Sequence, residues 1–90
     1  MGQSVADRAL LLIEMAGIRE LEKASDLGYN RWATVRHGRG KVRAEELDVL
    51  QRYFPQYRLW LISGEIAPDI GQTSPDYDAA NEKLHRPAGA

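Results

Sequence analysis

An all-α fold is predicted by three features of this 90-residue sequence. Apolar residues recur at three- and four-residue spacing, no stretch carries the period-two alternation of a strand, and Gly17, Gly28, Gly38, Gly40, Pro55 and Gly64 punctuate the chain at intervals that suit short helices. A chain of this size supports one modest core, burying roughly 60% of its unfolded surface. Its 43% hydrophobic and 28% charged residues fit a folded globular domain rather than a disordered chain.

A first helix opens at Ser4, whose hydroxyl suits the free amides of a first turn, with Asp7 three positions on to complete a capping box. Val5, Ala9, Leu12, Ile13 and Ala16 form its buried stripe, and Gly17 ends it. A second helix is expected over Ile18 to Ser25, with Ile18, Leu21 and Ala24 inward and Glu20, Glu22 and Lys23 in water. Gly28 breaks it. Asn30 is the expected cap of a third helix that runs to about His37 and carries Trp32, Ala33 and Val35. The fourth, Arg43 to Phe54, buries Leu47, Leu50 and Phe54 and places Glu45 and Glu46 in its first turn, where the helix dipole favours acids. Pro55 stops that helix and starts a fifth, through Tyr57, Trp60 and Leu61 to Ile62, with Gly64 as its exit. Trp60, Tyr57 and Phe54 belong to the core or to a dimer face. After Gly64 the punctuation becomes dense, with Pro68, Gly71, Pro75, Pro87 and Gly89 among Glu65, Asp69, Asp76, Asp78 and Glu82. Residues 66–90 are therefore expected to form a loosely packed acidic tail with a helical turn or two between Asp76 and Leu84.

Charge is distributed unevenly. The formal net charge is only -1, yet Arg31, Arg36, Arg39, Lys41 and Arg43 gather with His37 between Leu27 and Ala44, where no Asp or Glu occurs. Such a patch attracts polyanions. With no cysteine, disulfides and thiolate zinc sites are excluded. The longest apolar runs fall far below the roughly 20 residues of a membrane span, and no secretory leader is visible, so a cytoplasmic protein is expected. Catalysis has no support: His37 and His85 lie far apart, no serine has an evident base, and no glycine-rich loop follows a strand. Neither a metal nor a cofactor is expected.

Five short helices with tight connections imply an orthogonal bundle, and the second and third, joined by a turn holding Gly28, have the lengths of a helix-turn-helix. The run Ala24, Asp26, Leu27, Gly28 resembles the Ala-x-x-Leu-Gly of the lambda-repressor-like (Xre/Cro-type) family of bacterial and phage regulators. Trp60-Leu61-Ile62-Ser63-Gly64-Glu65 is similar to the Trp-Leu-Leu-Thr-Gly-Glu that closes many of those domains. The likeness covers about residues 4 to 65. Three departures stand out: Lys23 replaces a usually apolar residue, Arg43 a small cap, and Gly38-Arg39-Gly40 lacks the acid of the family's Glu-x-Gly. Two of these changes add positive charge.

The resemblance implies a five-helix lambda-repressor-like bundle. It divides the chain into a helix-turn-helix DNA-binding domain over residues 1–65 and an acidic tail over 66–90. It also implies contacts with double-stranded DNA. Arg31 matches the family position that reaches base edges, and arginine donates two bonds to guanine in the major groove. Thr34 is placed to meet a thymine methyl and Arg36 a base or phosphate, while Asn30 caps its helix and also suits a phosphate. Arg39, Lys41 and Arg43, in or beside a glycine-flanked loop, suit phosphates. Trp32 either packs on a sugar or thymine or belongs to the core, and His37 either takes part in DNA binding and modulates it or is only another polar surface residue. The implied function is a sequence-specific transcriptional regulator. Because one short helix reads few base pairs, it is expected to act as a homodimer on half-sites about 34 Å apart. Two alternatives use the same fold: a protein-interaction module that docks an acidic partner, and an antitoxin-like protein that both binds its operator and neutralises a protein partner with its acidic tail.

Overall fold

The computed structural model describes residues 3–85 and is mostly helical. Its elements are α1 (Val5–Ala16), α2 (Ile18–Ala24), α3 (Tyr29–Arg36), α4 (Ala44–Tyr53), a 3-10 turn (Pro55–Tyr57), α5 (Arg58–Ser63), a second 3-10 turn (Pro68–Ile70) and α6 (Pro75–His85). No strand occurs among the described residues, only one bridge between Ala67 and Gln72.

α1 begins as its sequence dictates. Ser4 Oγ accepts from the Asp7 amide at 3.1 Å, Asp7 Oδ2 accepts from the Ser4 amide at 3.2 Å, and Gly17, at φ +88°, closes the helix. Ala9, Leu12 and Ile13 of α1 meet Ile18 and Leu21 of α2, Trp32 and Val35 of α3, Val49 and Leu50 of α4, Tyr57, and Trp60 and Leu61 of α5 in one core. The aromatic residues Tyr57 and Trp60 are buried in it, and half-buried Phe54 stacks on Tyr57 at 5.6 Å between ring centres. They are core residues.

Arg8 is the odd member of the α1 stripe, a buried guanidinium with no carboxylate partner among the described residues. Its Nε donates to Leu61 O at 3.0 Å and its Nη2 to Ile62 O at 3.3 Å, while Nη1 donates to Gln3 O. The last turn of α5 has no basic residue of its own, so Arg8 supplies the cation that the negative end of the helix dipole favours. Gly64 follows at φ +81°, and a Cβ there would lie 3.3 Å from Arg8 Nη1.

Several expectations need correction. Ala24 is exposed rather than inward, because α2 ends there and the chain turns away. α4 buries Val49 and Glu46 with Leu50, whereas Leu47 and Phe54 stay half-buried, because the helix turns the side carrying Glu46, Val49 and Leu50 toward α1 and α2. The expected single fifth helix is divided into a 3-10 turn and α5.

The segment after Gly64 is not loose. Its chain folds back through Thr73 N to Gln56 O at 2.9 Å, and Gln72 receives the Leu59 amide at 3.0 Å while donating to Pro55 O at 3.0 Å. Ser74 is buried and caps α6 through its hydroxyl on the Tyr77 amide, and Tyr57 donates to Asp78 Oδ2 at 2.7 Å. Backbone and amide hydrogen bonds do here what apolar periodicity does elsewhere, so α6 adds a sixth helix to the five expected. Residues 86–90 of the expected tail lie outside the described residues.

Candidate nucleic-acid interface

The turn between α2 and α3 is organised by one hydroxyl. Ser25 Oγ donates to Leu21 O at 2.6 Å and accepts from the Leu27 amide at 3.3 Å and from Trp32 Nε1 at 3.2 Å. The α2 exit, the turn and the first part of α3 are thereby held together, and Trp32 is driven fully into the core with its N–H satisfied. Trp32 therefore has no surface with which to touch a sugar or base, which corrects its place among candidate contacts.

Gly28, not Asn30, is the cap of α3, so Asn30 lies inside the first turn with its amide exposed. α3 ends in a Schellman closure: the Gly38 amide bonds Val35 O at 3.0 Å, the Arg39 amide bonds Thr34 O at 2.9 Å, and Gly38 takes φ +76°. The chain then folds back along α3 until Gly40 lies against Thr34, where a Cβ would be 3.0 Å from the Thr34 methyl. Thr34 Oγ1 also donates to Asn30 O at 2.7 Å. Thr34 remains exposed, but its hydroxyl is engaged within the helix and its methyl lies on the side of the loop at Gly40.

Arg31 is the largest departure from expectation. Its Nε donates to Glu46 Oε2 at 2.6 Å, and its Nη2 donates to Glu45 Oε1 at 2.7 Å and Glu46 Oε1 at 3.4 Å. Glu46 is only 1% exposed, and its Oε1 also accepts the Arg43 amide at 2.9 Å. Burial pushes the Glu46 carboxyl up, but the hydrogen bonds from Arg31 and the Arg43 amide, with the charge of Arg31, outweigh it and hold the group below its ordinary range. Arg31 is raised from its own value, first by its hydrogen bond to Glu46 and then by that to Glu45. Arg31 is thus a strut between α3 and α4, not a free guanidinium on the outward side of α3. The acid-free stretch is acid-free only in sequence, because the fold brings α4 carboxylates to its first arginine.

What remains exposed is coherent. Asn30, Arg36, His37, Arg39, Lys41 and Arg43 lie on α3 and its exit loop in water, and none is paired with a carboxylate among the described residues. A cleft of about 280 Å³ opens between α3, the loop and the start of α4, lined in part by Asn30, Thr34, Lys41 and Arg43. Arg31 and Glu46 form one wall. Cations with their charge unneutralised, on a backbone fixed by glycines, can meet a polyanion and displace its condensed counterions. No group of three or more His, Cys, Asp or Glu that could hold a metal occurs among the described residues, and none of their helices is long and apolar enough to cross a membrane.

Fold and surface together define a small, mostly helical protein with a cationic face on its third helix and following loop. The chain belongs to the family of Pf6r from the filamentous phage Pf6 of Pseudomonas aeruginosa PA01. It is 48% identical to Pf6r, the similarity covering 83% of this chain and 99% of that one, with a TM-score of 0.81. No protein-family model and no curated protein matches the chain.

Proposed function

We propose that this protein is a sequence-specific double-stranded DNA-binding regulator of transcription, in which α2 and α3 act as a helix-turn-helix. α3 enters the major groove and the loop after it grips the backbone. The observation that carries this reading is the exposed set Arg36, Arg39, Lys41 and Arg43, none paired with a carboxylate among the described residues, beside the exposed amide of Asn30. Membership of a phage protein family supports a regulator of phage genes.

With Arg31 held by Glu46, base reading falls to Asn30, whose amide can bond adenine N6 and N7 together, and to His37. Arg36, Arg39, Lys41 and Arg43 take phosphates. One such helix covers few base pairs, so the protein acts as a homodimer on symmetric half-sites.

Selection of bound sequences from a random duplex pool at near-physiological salt tests the proposal. A palindromic site is expected, with affinity falling at a log-log salt slope of about -3 to -4 per protomer if the loop cations and Arg36 each meet a phosphate. Lys41→Ala is expected to reduce that slope by about 1 on every sequence, and Asn30→Ala to relax preference at one position. Recovery of random sequences with no salt dependence refutes the reading and favours a protein-docking module.

A further inference from the structure

Contacts fix which way each flank of α3 faces. Arg31 is held by Glu45 and Glu46, so its side of the helix faces α4. On the opposite flank, Tyr29 meets α2: the Arg19 guanidinium lies over the Tyr29 ring, 5.1 Å from its centre. Between these flanks lies the outward face with Asn30 and His37, opposite buried Trp32 and Val35. The loop cations Lys41 and Arg43 border the cleft on the α4 side. Arg19 and Tyr29 border the other.

Both residues are exposed, Tyr29 at 39%, and Arg19 has no carboxylate partner among the described residues, since neighbouring Glu20 pairs with Lys23. A guanidinium held over a ring by its charge keeps N–H groups for contact to phosphate oxygens, and no carboxylate among the described residues occupies those of Arg19. The ring contact also restricts the side chain before any ligand arrives, lowering the entropy lost on binding. The Tyr29 hydroxyl adds a donor alongside. A helix lying in a major groove has a phosphate strand on each side. A single row of cations meets only one of them.

We propose that Arg19 and Tyr29 form a second backbone-phosphate contact, gripping the strand across the groove from the one held by Lys41 and Arg43. This rests on the DNA-binding reading above. Arg19 lies outside the acid-free stretch, with Glu20, Glu22 and Asp26 between it and Tyr29.

The experiment uses the full chain and the duplex recovered by selection. Arg19→Ala is expected to weaken binding roughly five- to tenfold at 0.1 M salt, equally on selected and random duplexes, and to reduce the salt slope by about 1. Tyr29→Leu, which removes the ring, is expected to lose part of the same affinity. A neutral methylphosphonate is then walked along each strand. Wild-type protein should lose affinity at positions on both strands, while the Arg19→Ala protein becomes indifferent to substitution on one strand and stays sensitive on the other.

Should Arg19→Ala bind with unchanged affinity and slope while Lys41→Ala is weakened, the second grip is wrong and the DNA reading stands. Should wild-type protein lose affinity at methylphosphonates on one strand only, the second grip is again wrong, without recourse to any variant. If wild-type protein binds no duplex, both proposals fall together.

Discussion

Replacing Glu46 by alanine is the most informative single perturbation, because this carboxylate bonds three groups on two sides of the loop. The change removes the bond to the Arg43 amide, the acid half of a capping interaction, worth about 1 kcal/mol. It also removes two charge-assisted bonds from Arg31. A wholly buried pair broken on one side costs about 3–5 kcal/mol, but the Arg31 side chain is 35% exposed and keeps Glu45, so a further 1–2 kcal/mol is the appropriate figure. The expected total is about 2–3 kcal/mol, a fall of roughly 10–15 °C in Tm for a domain of this size. Thermal melts followed by circular dichroism measure it. The pH dependence supplies a second readout. The folded carboxyl titrates below its unfolded value of about 4.3, so its contribution is complete above that value and is lost as pH falls through the lower folded one. Glu46→Gln is expected to lack that segment of the acid-side decline. An alanine variant melting within two degrees of wild type, or superimposable acid-side curves for wild type and Glu46→Gln, would refute the strut.

Other expectations concern single contacts. Gly40→Ala should cost about 1–2 kcal/mol, because its Cβ meets the Thr34 methyl at 3.0 Å, and Thr34→Ser should restore most of that stability by removing the methyl; both are read from denaturant midpoints. Gly64→Ala should destabilise by at least about 1 kcal/mol through its positive φ, with further loss from crowding Arg8, and Arg8→Met in the same background should not relieve the backbone part. Tyr57→Phe should cost about 1 kcal/mol through its bond to Asp78 and should expose α6 to faster amide exchange than the core. The Tyr57 hydroxyl is raised by burial and then by Asp78. Its share of stability is therefore complete below the ordinary tyrosine range and lost as pH rises through the folded value.

The helices that periodicity and punctuation define were legible. Ser4, Asp7 and Gly17 bound α1 as expected, and Gly64 closes α5 in the left-handed region. Less legible was anything fixed by a polar group acting across the fold. Arg8 falls on the α1 stripe by its spacing to Leu12, yet a charge on a stripe reads as a surface residue until the α5 carbonyls it caps are seen. Glu46 stands three residues after Arg43, the spacing of a capping box, and that signal alone could have moved it from the dipole-facing surface to a fixed site. Its pairing with Arg31 spans 15 positions and leaves no local trace. The fold of residues 66–74 rests on Gln72 and backbone bonds to Pro55, Gln56 and Leu59, with no apolar period to announce it.

The buried carboxylate also explains how a basic loop holds its shape against its own repulsion. Arg39, Lys41 and Arg43 lie close in sequence, and like charges favour an extended, mobile loop. Three restraints oppose this. The Schellman closure fixes the loop's first residues to α3, Gly40 packs on Thr34, and Glu46 holds the Arg43 amide at the far end. Glu46 holds Arg31 with the same carboxylate, so the angle of α3 and the end of the loop are set by one group. A surface so restrained loses less entropy on meeting its ligand than a free loop of equal charge. The placement of the acid matters as much as its presence. Exposed beside Lys41, a carboxylate would cancel the field that attracts a polyanion; buried behind Arg31, it neutralises a cation that is already structural and leaves the outward charges unscreened.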